Sequence, residues 1–349
     1  MISFAEAVIE DLYIHEVGNK FRNDGVIIHD NGVNIENNDN LKYALNTYFF
    51  SSFQGNESLY QFYHEVDIYM NEVFVYVSNI FDNHSKMRQE SINISKHLYN
   101  SSLYPNIKTG ELCVVLVKNI SYKKEYYDGI GLFKSENKDT FLKIKKEPQG
   151  INILDEKGID IKKIDKGCII LNKNKKNGYV ISSIGTTNKK EEAKYWINEF
   201  LNLTSLKNEF HQTNKFLGLT KKFITEQLVQ DFEVNKTDQI DFLNRSVTYF
   251  KKHEEYKKDE FEEIVFEDDS IIESFRDFNN KQDNCENDKL PEKFKISENA
   301  VKKQARAFKS ILKLDKNFHV YIHGDKSKIE KGVETDGRKY YKIYYENER

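Results

Sequence analysis

Apolar residues recur at two different spacings along this chain, and the change from one to the other organises it. GVIIH (25–29) and EVFVYVSNIF (72–81) have the β-branched, aromatic-rich character of strands. LKYALNTYFFSSF (41–53) and SKMRQESINISKHLY (85–99) keep the three-and-four spacing of helices. From 111 to 184 strand-like runs follow one another, ELCVVLVK, DGIGLFKS, DTFLKIK, GINIL, GCIILN and GYVISSI, divided by Asn, Asp, Gly and Lys turns. This predicts an antiparallel meander. After Gly185 the helical period takes over: KEEAKYWINEFLNL (190–203) places Ala193, Trp196, Ile197, Phe200 and Leu201 on one stripe, and 237–253 does so with Ile240, Leu243, Val247 and Phe250.

The pattern therefore predicts an α+β protein. A mixed N-terminal domain with an antiparallel sheet covers 1–186. Over 187–349 come a helical region, an acidic linker (about 254–292) and a basic helix followed by a β-hairpin (about 293–349). The linker expectation rests on the clustered Asn and Asp of NNKQDNCENDKLPEK.

Charge sharpens the C-terminal picture. The whole chain has 53 Lys plus Arg against 56 Asp plus Glu, a formal −3, but residues 252–292 hold 15 acidic and 6 basic residues while 293–345 hold 6 acidic and 14 basic. Such a division suggests an anionic partner for the basic part; mutual attraction of the two segments, or ordinary solvated surface, gives the same asymmetry. A decoy role, with the acidic segment covering the basic face, is a further consequence to test.

Within the basic part, Ser297 is an N-cap ahead of a predicted helix over 298–314. Val301, Ala305, Phe308, Ile311 and Leu312 form its apolar face, and Lys302, Arg306, Lys309 and Lys313 a basic ridge, with Lys303 alongside. Lys316 follows in a turn. FHVYIH (318–323) and RKYYKIYY (338–345) then alternate as the two strands of a hairpin, with Phe318, Val320, Ile322, Tyr341, Ile343 and Tyr345 expected inside. The opposite face would carry His319, Tyr321, His323, Arg338, Tyr340, Lys342 and Tyr344. Cations there would neutralise phosphates while rings stack on bases or pack along the sugars. Tyr residues kept for packing alone would produce the same alternation.

Catalytic chemistry is hard to find. Nine histidines are scattered; His319 and His323 in a strand would lie roughly 13 Å apart, too far to share a metal ion. No H-E-x-x-H and no phosphate-binding G-x-x-x-x-G-K-[ST] occurs, and DGIGLF (128–133) is an isolated G-x-G. The acids Glu262, Glu263, Glu267, Asp268 and Asp269 would have to converge to serve a metal-dependent nuclease. Cys113, Cys168 and Cys285 fit neither a disulfide framework nor a zinc site, and no signal-like or membrane-spanning stretch is written, so a cytoplasmic protein without cofactor or metal is expected.

Several blocks carry a resemblance: IHEVGNK (14–20), KIDKGCIILN (163–172), YWINEFL (195–201), NRSVTYFKKHEEY (244–256) and AVKKQARAFKSILKLDKNFHVYIHGD (300–325) followed by RKYYKIYY. Together they resemble the bacterial nucleoid-associated proteins of the NdpA type, in their Bacteroidetes-like branch. The resemblance implies a non-enzymatic role in chromosome organisation at the nucleoid, with DNA as partner. The expected activity is sequence-tolerant binding of duplex DNA, with single strands as a second substrate, and the amphipathic reading, not the resemblance, supplies the residues: Lys302, Lys303, Arg306, Lys309, Lys313, Lys316, His319, Tyr321, His323, Arg338, Tyr340 and Lys342. The competing reading is a module that recruits another chromosome-associated protein. A homodimer would give the short C-terminal segment something to pack on.

Overall fold

The computed structural model describes residues 2–148, 150–185, 195–286, 290–305, 311–314, 316–321 and 328–347, with the backbone alone at 283–286 and 311–313. It divides into two compact units, Met1–Leu206 and Lys207–Arg349. Trp196 and Phe200 are buried in the first unit, and a strand at Leu203–Ser205 completes its sheet, so this unit continues well past residue 186.

The first unit is built on a nine-stranded antiparallel sheet. Its strands are β1 (Ile2–Ser3), β2 (Val8–Val17), β3 (Val26–Ile27), β4 (Leu59–Phe62), β5 (Gly110–Tyr122), β6 (Glu125–Ser135), β9 (Lys166–Leu171), β10 (Val180–Ile184) and β11 (Leu203–Ser205). They lie in the order β11-β4-β10-β9-β6-β5-β2-β3, with β1 also on β5. Antiparallel sheets commonly leave one face wet, and such strands alternate polar with apolar. Here the run LCVVLV in β5 is apolar throughout because both faces are covered: Leu112, Val114 and Leu116 enter one core, Cys113, Val115 and Val117 the other. Helix α1 (Asp39–Phe50) supplies Tyr48, Phe49 and Phe50 to the second core, while α2 (Glu72–Asp82) and α3 (Met87–Ser101) pack on the first.

Two expectations need correcting here. EVFVYVSNIF forms α2, not a strand: Asn71 caps it by accepting from the Phe74 amide at 3.0 Å and donates to the Leu201 carbonyl at 3.0 Å, and Val73, Phe74, Val77 and Ile80 bury one helical face. Burial of that face overrides the strand preference of its residues. The six strands from 111 to 184 exist but are not a plain meander. β6 pairs directly with β9, and the intervening β7 (Asp139–Glu147) and β8 (Gly150–Gly158) form a separate two-stranded ribbon.

The second unit gathers α4 (Glu209–Lys222), a π turn at Phe223–Gln227, α5 (Leu228–Asp231), α6 (Lys236–Lys252), β12 (Glu255–Lys257), α7 (Lys258–Phe266), α8 (Asp269–Glu286), β13 (Lys293–Lys295) and α9 (Glu298–Ala305). Its core is aromatic: Phe216 meets Tyr256 at 4.3 Å and Phe261 edge-on at 4.9 Å, and Phe223, Phe266 and Phe275 continue the cluster. The expected acidic linker is therefore folded structure over most of its length. Phe261, Val265, Phe266, Ile271, Ile272, Phe275 and Phe278 recur at helical spacing and enter this core, so the acids belong to two packed helices and not to a free tether.

The C-terminal stretch also departs from the expected helix and single hairpin. Described helix ends at Ala305; Ile311–Leu314 is a strand, β14, paired with β15 (Phe318–Tyr321). β16 (Ile329–Val333) pairs with β17 (Lys339–Ile343). Strand β15 thus takes its partner from just before it and not from 338–345, which is the shorter closure and the smaller loss of chain entropy. The second turn closes through Gly337 at φ +87°, with the Gly337 amide donating to the Glu334 carbonyl.

Candidate nucleic-acid interface

The two C-terminal hairpins are anchored on one side chain of α6. Ile240, 3 % exposed, is covered by Leu314, Val320, Ile329 and Tyr341, one residue from each of the four strands. Because neighbours in a strand alternate, turning Val320 and Tyr341 toward Ile240 sends His319, Tyr321, Tyr340 and Lys342 the other way. All four are exposed. The inward set is smaller than the alternation suggested: Phe318 is 63 %, Ile343 48 % and Tyr345 70 % exposed, and Ile322 lies outside the described residues.

In α9, Ala300 and Val301 are buried while Lys302 and Lys303 are exposed. Lys302 makes an i,i+4 pair with Glu298 at 3.6 Å, and the Lys303 ammonium stands 5.6 Å from the Phe210 ring centre. Arg306, Lys309 and His323 lie outside the described residues, as does the Lys313 side chain. The Lys313 backbone belongs to β14, opposite His319, so the ridge proposed from Lys302 to Lys313 on one helix is not formed: the helical repeat stops before it reaches that lysine.

The remaining candidates sit on the hairpins. Lys316 is exposed in the turn between β14 and β15. Arg338 Nε lies 2.7 Å from Asp336 Oδ2, and hydrogen bonds from the Arg338 amide and guanidinium hold the Asp336 carboxyl below its ordinary range. The ring of Tyr340 lies over Gly332, where a methyl group would meet it at 2.3 Å. Lys342 is 4.0 Å from Glu330 and 5.1 Å from the Tyr344 ring centre; its ammonium is raised above the ordinary lysine range by the Tyr344 hydroxyl. These ion pairs are solvent-exposed and screened, so a phosphate can displace them. Lys328, Lys331 and Lys339 are further exposed cations of the second hairpin. The register puts Lys331 and Lys339 on the same side of the hairpin as Ile329 and Tyr341, so polar–apolar alternation in the sequence gives no signal for them.

The acidic residues do not converge. Glu262 is buried against Arg276 at 2.7 Å, Glu267 pairs with Arg245 at 2.8 Å, and Asp268 accepts from the Ser270 amide at the start of α8. Among the described residues no three His, Cys, Asp or Glu side chains are placed to hold a metal ion, and no helix is long and apolar enough to cross a membrane. Cys113 and Cys168 are buried free thiols whose pKa burial pushes up.

The sequence blocks outside the C-terminus turn out to be architectural. In IHEVGNK, buried His15 bonds Ser91 at 2.9 Å, and Asn19 donates to the Tyr104 and Ile107 carbonyls at 2.8 and 2.7 Å. YWINEFL buries Tyr195, Trp196, Phe200 and Leu201, and in NRSVTYFKKHEEY the Tyr249 and His253 rings stack at 4.1 Å. No curated protein and no solved structure matches the chain. Residues 14–338 match the family described as nucleoid-associated protein YejK. With nearly its whole length matched, the chain belongs to the nucleoid-associated protein YejK family.

Proposed function

We propose that this nucleoid-associated protein binds DNA directly, with little dependence on base sequence, through the outward face of its C-terminal hairpins and the adjoining α9. The observation that carries the reading is the arrangement around Ile240: one residue from each of four short strands covers that anchor, leaving His319, Tyr321, Tyr340 and Lys342 outward with Lys316 and Arg338 at the turns. Cations spaced along a surface neutralise successive phosphates whatever the bases, and exposed rings beside them can pack on sugars or stack on unpaired bases. Lys302 and Lys303 extend the charge onto α9, and Arg306, Lys309, Lys313 and His323 belong to the same proposed set.

A titration of purified protein with duplex DNA at two salt concentrations tests this. Neutralising about five phosphates predicts roughly a 500-fold loss of affinity between about 50 and 200 mM salt. An affinity indifferent to salt would remove the proposal.

A further inference from the structure

Strands β7 and β8 leave the main sheet as a ribbon with an uncovered aliphatic face. Every residue of β7 is exposed. The register sets Leu142 opposite Asp155, Ile144 opposite Ile153 and Lys146 opposite Ile151, so these six residues share one face. Its four aliphatic side chains are 70, 65, 71 and 60 % exposed at Leu142, Ile144, Ile151 and Ile153. A two-stranded ribbon is marginally stable by itself in water, and a contiguous aliphatic surface of this kind marks an interaction site.

We infer that this ribbon is a dimerisation arm, and that the same face of a second copy covers it. The face is self-complementary. Ile144 and Ile153 form its central row; the row toward the tip pairs an aliphatic residue with a cation, Ile151 with Lys146, and the row toward the base pairs one with an anion, Leu142 with Asp155. Two such faces stacked head to tail about a twofold axis through the central row lay each copy's tip row on the other's base row. Each Lys146 then stands beside the second copy's Asp155, as an isologous interface requires. Stacking the ribbons tip to tip would instead align like charges.

Area and charge favour this occupant. Four side chains offering on the order of 100 Å² each, with their flanking charged residues, bring the total for two copies to about 1,000 Å², the size at which specific interfaces begin. Within 139–158, four lysines are balanced by four carboxylates, so the ribbon lacks the cationic excess that an arm reaching into DNA needs.

Sedimentation velocity of the full chain over a concentration series tests the arm. The wild type should dimerise, and I144D/I153D should weaken the dimer by roughly 100-fold or more, as expected when charges replace central apolar anchors. Because those changes are drastic, charge exchange provides a second arm of the test: K146D and D155K should each weaken the dimer, and K146D/D155K together should restore it. A wild type that stays monomeric to about 100 µM, beyond the range of a specific interface of this size, overturns the inference. So does a dimer indifferent to I144D/I153D, or a double exchange that fails to restore what the single changes lose. A loss of DNA affinity in I144D/I153D with oligomeric state unchanged would overturn it in favour of a nucleic-acid arm.

Discussion

Lys166 Nζ lies 2.6 Å from Glu136 Oε2 with both side chains almost wholly buried, and the other oxygen of the same carboxylate takes Lys134 Nζ at 3.1 Å. One carboxylate therefore serves two buried ammonium groups at the ends of β6 and β9. Replacing it leaves both without their counter-charge, although Lys134 still donates to the Lys108 carbonyl at 3.0 Å. Glu136→Gln should cost roughly 3–5 kcal/mol in a urea melt at neutral pH, the usual consequence of leaving a buried charge without its partner. An effect under about 1 kcal/mol, typical of surface pairs, would show that water reaches the cluster.

The same cluster makes an alkaline prediction. Burial, opposed in part by Glu136, holds Lys134 below the ordinary lysine range. Between the folded and unfolded pKa values the unfolded chain binds more protons at this site, so its contribution to stability rises with pH. Wild type minus Lys134→Met should therefore become more favourable as pH is raised from 7 toward 10. A difference that stays flat or falls would show that Lys134 keeps its proton in the folded protein.

An acid counterpart lies in His15. The His29 amide donates to its Nδ1 at 3.2 Å, leaving Nε2 to donate to Ser91, and burial is the main cause lowering its pKa from 6.5 to about 4. As pH falls from 6.5 to 4 the unfolded chain takes up a proton that the folded chain refuses. The wild type should lose about 3 kcal/mol through this group over that window. Denaturant melts of wild type and His15→Gln at pH 7 and 4.5 check it: the cost of the substitution should shrink on acidification. A cost that stays constant would mean the imidazole is protonated as easily as in the unfolded chain.

Helix α8 decides how the acidic segment is to be understood. Phe275 packs 4.9 Å from Phe266 and 5.1 Å from Phe223, so Phe275→Ala should destabilise the second unit by about 3–5 kcal/mol. Exposed Glu273→Gln should stay within about 0.5 kcal/mol of wild type. Deleting 270–290, which would be harmless for a masking tether, should abolish cooperative unfolding of this unit. Equal effects of the two point changes would contradict the packing.

Legibility in the sequence follows burial. The β5 run LCVVLV and the α6 stripe through Ile240 and Leu243 are plain because those apolar positions are buried, on both faces of β5 and along one side of α6. The α2 run is not, since Val, Phe and Ile read as strand until the Asn71 cap and the Val73, Phe74, Val77 and Ile80 face are seen together. Acidic residues conceal α7 and α8 because their composition outweighs the helical spacing of the phenylalanines between them. At the C-terminus, alternation correctly separates His319, Tyr321, Tyr340 and Lys342 from Val320 and Tyr341, but it says nothing about which strand pairs with which. The β7–β8 aliphatic residues signal strands; that the ribbon stands outside the main sheet is a tertiary fact with no local signature.

The most direct test of the functional account is the salt dependence of duplex-DNA affinity for wild type beside K316E/R338E/K342E, three substitutions at exposed positions. The account predicts a wild-type slope of log K against log salt near −4 to −5, falling in magnitude by about one for each phosphate no longer neutralised, on duplexes of unrelated sequence alike. An unchanged slope and affinity in the triple variant, with its melting temperature also unchanged, would contradict it.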